Sequence, residues 1–167
     1  RENTMSPLQG SLIAAAIVND GQMMEPYVIQ SIHAIPSDGD TADVAAPLYE
    51  ASAHPPTHVV DAKTAAEIRS LMRETVVRGT SRGSFRKFFT KGFTDFDVGG
   101  KTGSLTGKSP KGKYDWFVGY AQDSKGHNRL ALAALTVHEK CWRVKSSYVA
   151  RRAIETYFKD VVRIPSK

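Results

Sequence analysis

A single cysteine stands among the 167 residues. Cys141 has no partner in the chain for a disulfide. His138-Glu139-Lys140-Cys141 offers one His and one Cys, too few for a metal cage. Cys141 reads as a small, partly buried apolar side chain near a strand end. Long apolar runs are also lacking. The longest, residues 130–137, is less than half of the roughly 20 residues a membrane-spanning helix needs. No signal peptide is recognisable and the chain opens Arg1-Glu2-Asn3, so any targeting or anchoring segment is expected outside it. The five histidines, His33, His54, His58, His127 and His138, are scattered and take no role. Neither a metal nor a cofactor is expected. No internal repeat and no low-complexity tract is found.

What is present suits one domain with a substantial core: 41% of residues are hydrophobic and 24% charged. Lys and Arg number 23 against 17 Asp and Glu, a formal net charge of +6. That balance permits nucleic acid, an anionic polymer or an anionic membrane surface as a partner. The cations concentrate at Arg78, Arg82, Arg86, Lys87 and Lys91, and again at Lys101, Lys108, Lys111 and Lys113. They are either solvated loops or a positive rim around a site for a carboxylate-bearing substrate.

The pattern along the chain predicts helices, then three antiparallel strands, then a covering helix, an α+β arrangement. Ser6 caps a first helix over 7–19, with Pro7 at its first position, Leu8, Leu12, Ala15 and Ala16 at helical spacing, and Asp20-Gly21 as the stop. A short strand is predicted over 27–35. Residues 36–56, rich in Asp, Ala, Pro and Gly, read as a surface loop. Asp61 caps a second helix to residue 77, with Ala65, Ile68, Leu71, Met72 and Val76 as its core stripe. Residues 78–97 read as a basic loop that Phe85, Phe88, Phe89, Phe93 and Phe96 pin to the body, with its glycine-punctuated start over 78–83 expected to be mobile. Strands follow over 97–105, 114–122 and 129–137, with turns over 105–113 and 123–128. Ser146 or Ser147 caps a last helix to about Phe158, with Ala150, Ala153, Ile154 and Tyr157 inward.

One stretch carries chemistry: Lys101-Thr102-Gly103-Ser104, inside Val98-Gly99-Gly100-Lys101 and followed by Tyr114-Asp115-Trp116-Phe117-Val118-Gly119-Tyr120-Ala121. The lysine offers a point charge and the threonine a hydroxyl to a carboxylate. The glycine, lacking a Cβ, lets another backbone approach. Trp116, Phe117 and Tyr120 read as core or groove wall, and Gly119 as a site of close strand-on-helix packing.

These residues resemble the third signature of the penicillin-recognising serine enzymes, whose other signatures are Ser-x-x-Lys and Ser-x-Asn. Met5-Ser6-Pro7-Leu8-Gln9, the Ala-rich segment after it, and Asn19-Asp20-Gly21 through Pro26 are similar to the penicillin-binding protein pattern TPLQ…A…ANGG…P. Val76-Val77-Arg78-Gly79-Thr80 resembles the family's VV…GT element. The resemblance runs from about Met5 to Phe158 and identifies the chain as the C-terminal portion of a penicillin-binding transpeptidase domain.

That resemblance implies a D,D-transpeptidase in which a serine attacks D-alanyl-D-alanine and releases D-alanine. An amine of a second peptidoglycan stem peptide then resolves the acyl-enzyme, and β-lactams acylate the same serine. It implies that Lys101 sets the electrostatics of the site and that Thr102 and Ser104 offer hydroxyls to the terminal carboxylate. The Ser104 N–H would supply half of an oxyanion hole, a donor worth roughly 3 kcal/mol in such enzymes. Ser104 stands where the family has a fourth-position threonine and keeps its hydroxyl. The elements at Ser6–Gln9 and Asn19–Gly21 favour a high-molecular-mass transpeptidase over a carboxypeptidase, β-lactamase or sensor domain. The implied setting is the extracytoplasmic, periplasmic face of a bacterial inner membrane.

The nucleophile is missing. No Ser-x-Asn occurs. The one literal Ser-x-x-Lys, Ser84-Phe85-Arg86-Lys87, lies in the basic loop, where no dry environment would activate the serine. The chain alone is therefore expected to be inactive, with the N-terminal portion of the same protein as a partner. The third strand would be left as an open edge beside Leu130, Leu132, Ala134 and Leu135, inviting self-association. A rival reading is a non-catalytic basic domain for nucleic acid or an anionic polymer, resting on the net charge and on interleaved cations and aromatics over 78–91.

Overall fold

The computed structural model describes residues 4–34, 47–52, 54–90, 92–139 and 143–161. Cys141 and most of the loop expected over 36–56 lie outside the described residues.

Helix α1 (Pro7–Val18) begins with a reciprocal cap. Gln9 N–H donates to Ser6 Oγ at 3.2 Å and Ser6 N–H to Gln9 Oε1 at 2.8 Å. It ends at Asn19, where Asp20 and Gly21 both take positive φ, 53° and 88°. The side chain of Arg129, far along the chain, donates to Val18 O and Asn19 Oδ1, both at 3.3 Å, and so serves the helix's C-terminal carbonyls. The buried line differs from the expected one. Gly10, Ala14, Ala16, Ile17 and Val18 are buried, so Ala16 keeps its expected place, whereas Leu8 is 57% exposed. Small residues win the inward face because the helix lies close: a Cβ on Gly10 would stand 3.0 Å from Val118 Cγ2 and 3.3 Å from Ala133 Cβ.

Four two-residue strands follow around the next segment: β1 (Gln22–Met23), β2 (Ser31–Ile32), β3 (Tyr49–Glu50) and β4 (Thr57–His58). β1 pairs with β4 and β2 with β3, both antiparallel. The strand expected over 27–35 shortens to β2 because its partner offers two residues. Tyr27, Val28 and Ile29 stay exposed. β3 also shows that the expected surface loop contributes to pairing.

Helix α2 (Ala62–Val77) is capped by Asp61, which accepts from Thr64 N at 2.8 Å and Thr64 Oγ1 at 2.7 Å. Ala65 and Val76 are buried, but Leu71 is 70% exposed and leaves the predicted stripe. The described residues over 78–97 are held to the body by their aromatics, as expected, but the start over 78–83 is not a mobile loop. They contain helix α3 (Arg82–Phe85), and Phe85, Phe88, Phe93 and Phe96 are buried. Phe88 stacks on Phe93 at 4.5 Å between centroids, and Phe96 meets Phe158 edge-on at 4.8 Å. Burying each phenyl ring contributes about 2–3 kcal/mol, which outweighs the glycines and charges that suggested mobility.

Strands β5 (Asp97–Lys108), β6 (Lys111–Gln122) and β7 (Arg129–His138) form an antiparallel sheet in the order β5-β6-β7. The first hairpin runs on to Lys108 and Lys111, where a longer turn was expected. The ring of Tyr114 covers Gly107, and its hydroxyl donates to Pro110 O at 2.8 Å, so the tip is held despite its Gly, Lys and Pro content. The turn between β6 and β7 is tied by Asp123, which accepts from the N–H groups of Lys125, His127 and Asn128 and from Asn128 Nδ2.

Helix α4 (Ser146–Thr156) continues into a π-helical turn, Tyr157–Val161. Its cap comes from the sheet and not from its own serines: Asp115 Oδ2 accepts from Ser146 N at 2.8 Å and Ser146 Oγ at 3.0 Å. Ala150, Ile154 and Phe158 face the core, while Ala153, expected inward, is exposed. The layers are α4 with the phenylalanine cluster on one face of the sheet and α1 on the other, with α2 beside β5. The fold is α+β. β7 ends the sheet among the described residues, yet Ala134 is buried and Leu130 and Leu132 pack against the core, so its apolar side chains are largely covered. Exposed apolar side chains include Leu8 and Ile13 on α1, Leu105 on β5, Leu71 on α2 and Val28 before β2. No helix among the described residues is long and apolar enough to cross a membrane.

Candidate functional site

β5 forms the other end of the sheet and presents the lysine–threonine–glycine stretch along its outer side. Strand alternation sends Lys101, Gly103 and Leu105 to the face of α1, across from Val118, Trp116 and Tyr114. Thr102 and Ser104 take the opposite face, across from Phe117 and Asp115. Lys101 is exposed and its Nζ donates to Thr102 O at 2.6 Å.

Lys101 and Thr102 form a ridge between two depressions. On one side is an open groove of about 530 Å³, walled by Met5, Leu105, Tyr114, Trp116 and Val118. On the other is a polar notch of about 440 Å³, lined by Glu74, Thr75, Arg78, Gly79 and Thr80. Gly103 lines the groove; Ser104 is exposed and lines neither. A cation and a hydroxyl thus stand where an anionic end could bind and an apolar body could lie alongside. Among the described residues, no three His, Cys, Asp or Glu side chains gather as a metal site.

The glycines of β5 serve different ends. A Cβ on Gly99 would stand 2.6 Å from the Tyr120 ring, and one on Gly100 would clash with the Phe117 ring, whose Cε2 would be 2.6 Å away. Gly119 is also demanded by its surroundings, but by Gly99 O and Phe117 and not by the helix expected there. Gly103 is unlike them: the nearest atom to its Cβ would be Trp116 Cβ at 3.7 Å, an ordinary contact. Packing within the chain leaves room for a side chain there.

The inner end of β5 is fixed to α2. Asp97 accepts from Arg73 Nη1 at 3.0 Å, Gln122 Nε2 at 3.1 Å and Tyr120 Oη at 3.3 Å, while Tyr120 Oη also lies 3.2 Å from Arg69 O. Burial first, then the adjacent Asp97 charge, pushes the Tyr120 phenol well above its ordinary value.

Thr80 joins the site from the end of α2, with Oγ1 2.8 Å from Thr102 Oγ1. It belongs to the Val-Val…Gly-Thr element, yet sequence reasoning gave it no place beside Thr102. Sequence separation hid the contact. The groove walls were legible only as alternation: Leu105, Tyr114, Trp116 and Val118 come to one face once the register is known.

Ser84 Oγ is engaged by Ser147 Oγ at 2.8 Å, and Lys87 is exposed, so Ser84-Phe85-Arg86-Lys87 does not form a dry serine–lysine pair. Of the aromatics over 78–91, Phe85 and Phe88 are core residues and Phe89 packs against the core, which weakens the nucleic-acid reading.

A sequence model for the family described as "Penicillin binding protein transpeptidase domain" matches residues 3–161. No curated protein matches the chain. Among solved structures, penicillin-binding protein 2B of Streptococcus pneumoniae strain R6 superposes with a TM-score of 0.66 at 16% identity, over 92% of this chain and 25% of that one. The protein of the same name from strain 5204 gives 0.60 at 18% identity, over 92% and 23%. At such identities the likeness is one of fold. The chain spans about a quarter of the length of these structures.

Proposed function

The chain belongs to the penicillin-binding protein transpeptidase domain family, and from that membership we propose that residues 1–167 are the C-terminal portion of a serine D,D-transpeptidase domain that cross-links peptidoglycan. The reactive serine comes from a part of the protein outside these residues. It attacks the carbonyl of the penultimate D-alanine of a stem peptide, the C–N bond to the terminal D-alanine breaks, and the leaving amine takes a proton. The amine of a second stem peptide then displaces the serine. A β-lactam acylates the same serine by opening its ring.

In this reading β5 is one wall of the cleft. Lys101 supplies positive potential for the terminal carboxylate, and Thr102 and Ser104 supply hydroxyls. Gly103 lets the substrate backbone approach, and the Ser104 N–H is one of two oxyanion donors. The observation that carries the reading is Gly103. The fold has room for a side chain at this position, so the glycine meets a demand from outside the chain. The protein works at the extracytoplasmic face of a bacterial inner membrane, anchored by a segment outside residues 1–167.

Labelling with a fluorescent penicillin tests this. In the longer protein carrying the serine, Lys101→Ala should slow acylation by about a hundredfold or more while leaving the melting temperature nearly unchanged. The 167-residue chain alone should give no stable adduct by intact mass. Parental acylation in Lys101→Ala would refute the role of the wall, and an adduct lost on Ser84→Ala would refute the missing nucleophile.

A further inference from the structure

On the reading proposed above, the Thr102 hydroxyl meets the substrate carboxylate, and we propose that Thr80 is the positioning residue that aims it. The two Oγ1 atoms lie 2.8 Å apart. A carboxylate only accepts hydrogen bonds, so Thr102 O–H must donate to it. Thr80 O–H then donates to the Thr102 oxygen, and the proton order along the chain is fixed. Each bond polarises the next, so the Thr102 hydroxyl becomes a better donor than one exposed to water alone.

Thr80 is suited to this because its own backbone is held by α2 and not by β5. Gly79 N donates to Glu74 O at 2.8 Å and Ser81 N to Thr75 O at 3.1 Å. A Cβ on Gly79 would stand 2.8 Å from Thr75 Cα, so the chain crosses the end of the helix at a spacing that only glycine permits. On either side Val76 and Ser81 are buried, at 1% and 0% exposure. The hydroxyl bridge thus ties a flank fixed by packing to a residue on the outer strand of the sheet.

Acylation of the longer protein by a fluorescent penicillin, followed across concentration, tests the bridge. Thr80→Val keeps shape and removes the hydroxyl. It should lower the second-order acylation constant about three- to tenfold, mainly through a higher half-saturating concentration. Thr80→Ser should restore the parental value. Thr80→Val combined with Thr102→Val should be no slower than Thr102→Val alone, because the bridge is already gone. Melting temperatures of all variants separate this from unfolding, and Thr80→Ala serves if valine destabilises the fold. If Thr80→Val acylates at the parental rate while Thr102→Val is slow, or if the two effects multiply, the positioning role is wrong and the site reading stands. If Thr102→Val itself acylates normally, the site reading fails and this role falls with it.

Discussion

The Phe117 ring occupies the space over Gly100 where a side chain would stand, and it stacks on Phe85 at 5.6 Å between centroids. One residue before Lys101, the strand is therefore shaped by the aromatic core beneath it. Gly100→Ala would force the ring aside and disturb its stack with Phe85. The expected cost is about 2–3 kcal/mol, seen as a lower urea midpoint. A variant as stable as the parent would show that the core relaxes around the methyl group.

Gly103→Ala should behave in the opposite way. Its methyl finds room beside Trp116, and alanine loses less backbone entropy than glycine, so stability should hold or rise by up to about 0.5 kcal/mol. Acylation of the longer protein should nevertheless fall at least tenfold on the proposed reading. Paired denaturation and labelling assays make the contrast with Gly100→Ala direct.

Tyr120 gives a pH signature. Its phenol is raised above its ordinary 10.0, chiefly by burial and then by Asp97. The folded state therefore keeps its proton where the unfolded chain releases it. The stabilising contribution is whole below about pH 10 and declines as pH rises towards the folded value, by at most about 1.4 kcal/mol per pH unit for one proton. Tyr120→Phe should lose about 1 kcal/mol at pH 7 with its hydrogen bonds, and its stability should fall less steeply above pH 10. Urea midpoints at pH 8, 10 and 11 measure both effects.

Asp115 should matter more than its place in mid-strand suggests. It is 7% exposed and caps α4 through Ser146 N and Oγ. Asp115→Ala strands a buried N–H and should cost about 2–3 kcal/mol. Asp115→Asn keeps an acceptor and should recover part of that. Calorimetry of the two variants decides whether this bond or the apolar contacts of α4 dominate its docking.

The isolated chain is expected to self-associate. β7 ends the sheet among the described residues, and Leu8 and Ile13 are 57% and 51% exposed on a helix that is apolar almost all round. Light scattering over a concentration series should show growth, reduced by Ile13→Glu. A strictly monomeric chain at high concentration would overturn the prediction.

The sequence by itself determined the three long helices, the caps at Ser6 and Asp61, the three-strand meander and the place of the lysine–threonine–glycine stretch. These are local signals of spacing, side-chain acceptors and alternation, which neighbours in sequence can satisfy. Tertiary structure decided which faces are buried. Leu8 and Leu71 look like core residues, but Gly10 and Ala14 are buried in α1 because the sheet lies too close for leucine. It made a core out of the basic aromatic stretch over 78–97, because phenylalanines spread along the chain gain from meeting Phe117 and Phe158. It also brought Thr80 to Thr102 and Asp115 to Ser146. Those are hydrogen bonds between residues far apart in sequence, and no local pattern encodes their distance.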